Sequence, residues 1–421
     1  MKSSPGLMAA AADPVAPVPQ ACEVLVIGAG PAGTACAQSL ARAGFDVVLA
    51  DQQLFPRDKV CGDGLIPDAH RALERLGVLD EVLAHARAAT HVACVGPSGG
   101  RVEVPAHLAV LPRRELDEIL RLSAIRAGVR WLAPARFDAP LLDPGQQVIG
   151  ARLALPDGAP RVPHALRARW TVLATGAASV PLNSAGLCTR RTPSGMALRG
   201  YVRNDAMAGR IKGLDVVWHR ALRRGYGWIF PCAGGVFNIG VGITHSRADV
   251  PDVNLRELFA TFTRLYAPAR ELMEGGEPLG PLKGAPLRCS LDGAKWSRPG
   301  LLVAGEAAGS TYLFTGEGIG KALETGMLAA QAIAEGRDQR LGDAQVRARY
   351  EAALHALKPR FDAYEQANRI NNHPWLADLL IWRARHSESV RKRLSGVIEE
   401  THTPRNLVTA QGLLRMLLPS A

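Results

Sequence analysis

The stretch that most restricts this chain runs from Cys22 to Asp51. Residues 22–27 form a short, mostly apolar run that ends at glycine, as a buried parallel strand does. Gly28, Gly30 and Gly33 follow at once, with Pro31 and Ala32 between the last two. A small-residue helix is expected over residues 34–42, stopped by Gly44, and a second strand over 46–50 leads to Asp51. Strand, glycine turn, helix, strand and acid, in that order, make the dinucleotide fingerprint. Gly28 permits the tight turn, Gly30 lets backbone approach a pyrophosphate, and Gly33 lets the helix lie close on the strand. The helix start offers free N–H groups and the positive end of the helix dipole to an anion. Asp51, 23 residues after Gly28, is placed to accept from ribose hydroxyls and to repel a 2′-phosphate. That disfavours NADP and leaves FAD or NAD.

Composition narrows the class. A chain of 421 residues fits two packed domains, and 47% apolar with 21% charged residues excludes wholesale disorder. No apolar run reaches the roughly 18 residues of a membrane-spanning helix. Seven cysteines, without a CxxC pair or zinc-type spacing, exclude a disulfide scaffold and a structural zinc module, and reduced thiols fit a cytoplasmic protein. The net charge of +11 is scattered, with no basic block interleaved with aromatics, so a nucleic-acid partner is not expected. Arg383, Arg385, Arg391, Lys392 and Arg393 form the one stretch suited to anionic lipid, so any membrane contact is expected to be peripheral. Residues 1–20 read as a disordered tail, and Asp13 and several prolines argue against a signal peptide.

Later segments carry further ligand-type signals. Arg113 and Arg114 open an amphipathic helix where the dipole disfavours cations, which points to a ligand. Residues 170–174 form a second apolar strand ending in Thr175-Gly176. Residues 301–304 form a third, leading into Gly305-Glu306-Ala307-Ala308-Gly309. Thr315-Gly316-Glu317-Gly318-Ile319-Gly320 then opens a helix expected to run to about Ala334, again an anion-ready start.

This ordered set resembles FAD proteins of the para-hydroxybenzoate hydroxylase fold. Two more motifs, Lys59-Val60-Cys61-Gly62-Asp63-Gly64 and Gly225-Tyr226-Gly227-Trp228-Ile229-Phe230-Pro231, make it most similar to the geranylgeranyl reductase family. The resemblance spans about residues 22–334. It implies an FAD-dependent oxidoreductase in which Gly28, Gly30, Pro31, Ala32, Gly33 and Asp51 hold the ADP half. Arg113 or Arg114 would approach the ribityl or pyrophosphate region, and Thr175 and Gly176 would border the cofactor. Gly305 and Glu306 would hold ribityl hydroxyls and pyrophosphate. Gly316, Glu317, Gly318 and Ile319 would present backbone N–H groups to the pyrimidine edge of the isoalloxazine. Two departures stand out: Glu306 replaces the usual Asp, and the Asp-Gly pair that handles NADPH in the aromatic hydroxylases is missing after Thr175. With no second GxGxxG, electrons are expected from a separate donor such as a flavin reductase or ferredoxin.

Between residues 195 and 244 the pattern turns to strands, at 196–202, 214–218, 226–230 and 236–243. Tyr226, Trp228 and Phe230 alternate, so they share one sheet face and suit an aromatic wall over a hydrophobic substrate. Cys61, beside Lys59, is a candidate thiolate or proton donor, and Tyr226 and Trp228 are the other candidate catalytic residues. No Ser/His/Asp triad or metal-ligand spacing is present in the sequence. The expected architecture is α/β: a Rossmann-like FAD-binding domain interleaved with a mixed β-sheet substrate domain and a helical C-terminal segment. The expected spans are 21–182 with a small hairpin insertion and 299–336 for the first, 183–298 for the second, and 337–421 for the third. Residues 407–418 read as an amphipathic lid or packing helix. The main functional reading is hydride transfer to or from carbon–carbon double bonds of a hydrophobic, prenyl or polyene molecule. The alternatives are an oxygen-using monooxygenase or halogenase of small-molecule biosynthesis, and a flavin-free lipid carrier.

Overall fold

The computed structural model describes residues 18–156, 164–245 and 252–404. The expected tail, apart from residues 18–20, and the expected helix at 407–418 lie outside the described residues. Two mixed sheets organise the chain. The first runs in the order Ser297–Arg298, Leu301–Val303, His164–Leu173, Ala21–Ile27, Val47–Ala50 and Arg130–Leu132. Ala21–Ile27 pairs in parallel with both Val47–Ala50 and His164–Leu173, and Leu301–Val303 adds in parallel outside the latter. The hairpin Arg136–Leu142/Val148–Ala154 joins this sheet through His164–Leu173. Helices Pro31–Arg42 and Ile319–Asp338 cover one face, and they lie close because Gly326 has no Cβ; one would stand 2.1 Å from the Ala32 carbonyl oxygen.

The second sheet is centred on Gly195–Arg203, Val236–Thr244, Gly225–Pro231 and Leu214–Val217. It continues through Arg87–Val95, Arg101–Val110 and Gly64–Leu65. Here the structure differs from the expected spans. Residues 87–110 fall inside the stretch 21–182, yet Leu214–Val217 pairs in parallel with Val92 to Val95, so these strands extend the second sheet. A sequence scan reads local alternation but not which distant strand completes a sheet.

Helices Asp343–Ala367, Trp375–His386 and Glu388–Ile398 close the far side. Leu376, Leu380 and Ile381 share one buried cluster with Trp218, Tyr312, Phe314 and Tyr364. Among the described residues, no helix is long and apolar enough to cross a membrane.

Candidate functional site

The fingerprint turn is built by exclusion. Gly28 has φ +101°, and a Cβ there would stand 2.3 Å from the Ala174 carbonyl oxygen. A Cβ on Gly33 would stand 1.7 Å from the Gly28 carbonyl oxygen, so both glycines are dictated by packing. Gly30 is different: a Cβ there would meet only the Arg113 and Arg57 guanidinium groups, at 3.7 and 3.8 Å. No protein backbone demands glycine at that point, and two cations face it. The helix Pro31–Arg42 has Gly30 at its N-cap, no side-chain cap and no acid in its first turn, leaving its leading N–H groups for an anion.

Of the two expected arginines, Arg113 is buried and Arg114 is exposed. Arg113 grips Asp117 with both arms, Nε at 2.7 Å and a terminal nitrogen at 2.8 Å, while Arg57 reaches the same carboxylate at 3.1 Å. Asp117 thus fixes both guanidinium groups, while its single charge balances only one of them. The Asp51 carboxylate accepts from the Ala29 N–H at 2.8 Å and the Gln53 N–H at 2.9 Å, tying the second strand to the glycine turn.

Two more turns converge here. Gly176 has φ +69°, and a Cβ there would lie 3.9 Å from the Glu306 carboxylate. Gly305 has φ +66° and donates its N–H to Thr325 Oγ1 at 3.0 Å, so that N–H is already engaged within the protein. Thr175 Oγ1 and Ser310 Oγ, beside these turns, are buried without a hydrogen-bond partner. Buried orphan hydroxyls, an open glycine face and paired arginines fit a phosphorylated, polyhydroxylated ligand.

The late helix Ile319–Asp338 starts at Gly318, also without a side-chain cap. Lys321, buried in its first turn, pairs with Asp68 and, at 2.5 Å, with Glu400. Glu400 also accepts from the Tyr312 hydroxyl at 2.9 Å and pairs with Arg360 at 3.3 Å. Burial, with the Asp68 carboxylate nearby, pushes the Glu317 carboxyl up to about 8, so it is mostly neutral at pH 7.

The aromatic wall forms as alternation demands. Ring centroids step from Trp218 to Tyr226 at 6.1 Å, to Trp228 at 6.2 Å and to Phe230 at 6.4 Å. The Tyr226 hydroxyl donates to the Thr315 carbonyl oxygen, which binds the wall to the late glycine turn. The space opposite Gly62 is filled by Phe230, 3.1 Å from where a Cβ would sit.

The loop carrying Cys61 is locked by Asp63, whose importance the sequence did not signal. Asp63 is fully buried at φ +66°, a region Asp tolerates better than most side chains. Its carboxylate accepts from the Tyr201 hydroxyl at 2.5 Å, the Asn238 amide at 2.7 Å and the Arg113 N–H at 3.2 Å. Asn238 also donates to the Cys61 carbonyl oxygen at 2.7 Å and accepts from Trp228 Nε1 at 2.9 Å. Burial pushes the Asp63 carboxyl up to about 6. Burial, and then Asp63, also raises the Cys61 thiol. The sequence left Cys61 open as thiolate or proton donor; burial and the Asp63 carboxylate, partly offset by Arg113, favour the protonated form. Burial, and then Glu317, Cys289 and Cys61, raise the Tyr226 hydroxyl.

Comparison with known proteins agrees with this geometry. Residues 21–219 match the FAD binding domain family. The menaquinone reductase of Mycolicibacterium smegmatis is 34% identical over 344 residues, covering 75% of this chain and 76% of that one. The digeranylgeranylglycerophospholipid reductase 1 of Methanopyrus kandleri is 31% identical over 328 residues, covering 74% and 80%. Among solved structures, a geranylgeranyl bacteriochlorophyll reductase-like protein from Thermoplasma acidophilum superimposes with a TM-score of 0.70 at 21% identity, over 94% of this chain and 96% of that one. FAD is thus the cofactor of this chain. With these relatives and this cofactor site, the chain belongs to the geranylgeranyl reductase family of FAD-dependent oxidoreductases.

Proposed function

We propose that this enzyme transfers two hydrogens to an isolated carbon–carbon double bond in a polyisoprenoid chain, on a lipid or a lipophilic quinone. The observation that carries the reading is the aromatic row Trp218, Tyr226, Trp228 and Phe230, anchored to the Cys61 loop on one side and the late glycine turn on the other. Relatives named as reductases of menaquinone and of a geranylgeranyl lipid support the substrate class.

FAD, when bound, supplies the hydride. The N–H groups at the start of Pro31–Arg42, backed by Arg57 and Arg113, would hold its diphosphate, and Asp51 its ribose. The N–H groups of Gly316 to Ile319 would face the pyrimidine edge. A neutral Glu317 lets that helix start favour negative charge there without a competing carboxylate. The aromatic row would align the prenyl chain and exclude water. Cys61 Sγ would deliver the proton to the carbon that does not receive hydride, a role its protonated state permits. One hydride and one proton saturate one double bond. Electrons come from a separate donor protein, because the sequence carries a single nucleotide fingerprint. The substrate brings the enzyme to a membrane surface peripherally.

The test is anaerobic turnover of a polyprenyl quinone or prenyl lipid with chemically reduced enzyme. Mass spectrometry should find products two hydrogens heavier per bond. A strict requirement for oxygen would overturn this reading.

A further inference from the structure

The helix Trp375–His386 presents two unlike faces. Leu376, Ala377, Leu380, Ile381 and Ala384 are buried in the cluster that holds Trp218 and Phe314. On the outer side stand Trp375 and Trp382, 56% and 50% exposed and seven residues apart, so they share one stripe two turns long. They are the only aromatic side chains among the exposed large apolar residues described. The other exposed apolar residues, such as Leu54, Leu83 and Val180, are scattered singly on different elements and need no explanation.

The charge around the stripe is mostly positive. The His386 ring lies 5.5 Å from Trp382, and Arg385 beside it is exposed. The next helix, Glu388–Ile398, begins two residues later and exposes Arg391, Lys392 and Arg393. Glu388 is the only acid on that helix, and it pairs with Lys392 at 3.0 Å. Asp378, on the Trp375–His386 helix itself, is turned inward and accepts from Ser98 at 2.8 and 2.9 Å. Tryptophans at the water–lipid boundary with flanking cations are the arrangement that seats a helix on an anionic bilayer.

We infer that the Trp375/Trp382 stripe and the Arg385–Arg393 cations dock this enzyme on an anionic lipid surface. This rests on the proposed lipophilic substrate and places its entry. The stripe's helix packs on the cluster that includes Trp218 and Tyr226, so docking would bring the aromatic-row side of the enzyme to the lipid surface.

The experiment is vesicle flotation of the full-length flavoprotein, with phosphatidylcholine alone and with about one third phosphatidylglycerol added. The wild type should float with the anionic vesicles, and added salt should release it. The double variant Trp375→Ser/Trp382→Ser and the triple variant Arg391→Glu/Lys392→Glu/Arg393→Glu should each partition about tenfold less or weaker still. All should keep bound flavin and turn over detergent-dispersed substrate at the wild-type rate, since none touches the site. Wild type that ignores anionic vesicles, or variants that float as well as it does, would overturn the docking. So would a wild-type dimer that the Trp variants dissociate, which would assign the face to a second copy of this chain. Docking with no prenyl reduction would instead sink the proposed reaction, so the two failures are distinguishable.

Discussion

The glycine turn and the chamber loop meet at Arg113, but they tolerate change in opposite ways. At Gly28 and Gly33 the neighbours are backbone carbonyls 2.3 and 1.7 Å from any added Cβ, and backbone cannot step aside. At Cys61 to Gly64 the neighbours are side chains: Tyr201, Asn238, Trp228 and Phe230, arriving from three strands of the second sheet. The glycine turn is thus fixed by backbone, its own at Gly33 and that of Ala174 at Gly28. The Cys61 loop is held by long-range polar pairing around one buried acid. Conserving either sheet alone does not conserve the site.

The contrast can be broken at its stiffest point. Gly33→Ala should cost about 3 kcal/mol or more, because a backbone clash cannot relax, and the protein should emerge colourless or insoluble. Recovery of soluble, fully flavinated Gly33→Ala protein would refute the packing argument.

Next comes the pH dependence of the chamber. The Asp63 carboxyl rises from 3.8 to about 6 on folding. Below pH 3.8 it is protonated in both states. As pH climbs from 3.8 through 6 the unfolded chain ionises first, so the folded state loses stability, by up to roughly 3 kcal/mol for this single group. Urea melts of wild type and Asp63→Asn should therefore show the wild type's advantage shrinking between pH 4 and pH 7. A gap that is constant, or that widens with pH, would mean the carboxyl is not raised.

Cys61→Ala should lower kcat about 100-fold while leaving the flavin spectrum and content intact. Lost flavin instead would make Cys61 a packing residue of the nucleotide half. The smallest effect sharpens the comparison most: Gly30→Ala should fold and melt like wild type, since its added methyl meets only arginine ends at 3.7 and 3.8 Å. Its FAD affinity, measured by titrating apoprotein, should drop about tenfold, because the methyl enters the space kept for the diphosphate.

Elements whose signal is local were legible in the sequence. The first strand, its helix and the next strand were expected within three residues at every end, because glycine, proline and apolar runs act on their immediate neighbours. The aromatic row was legible too, since strand alternation alone puts Tyr226, Trp228 and Phe230 on one face. What the sequence hid was every partner supplied from far away. Asp63 reads as a loop acid until Tyr201 and Asn238, 138 and 175 residues later, close on it. Arg57 has no motif and is drawn beside the glycine turn by Asp117, Asp51 and the Phe55 ring. Glu400 sits in an unremarkable turn, yet it meets Lys321 at the start of the late helix. Residues 87–110 were misplaced for the same reason, their sheet being decided by Leu214–Val217.

The strand order of the first sheet bears on how the chain folds during synthesis. Ala21–Ile27 leaves the ribosome first, but its parallel neighbour His164–Leu173 and the helix Ile319–Asp338 that seals Pro31–Arg42 come much later. At the roughly 5–20 residues per second of translation, the nascent fingerprint waits on the order of half a minute with an open strand edge. The packing around the fingerprint is therefore complete only after about three quarters of the polypeptide has been made.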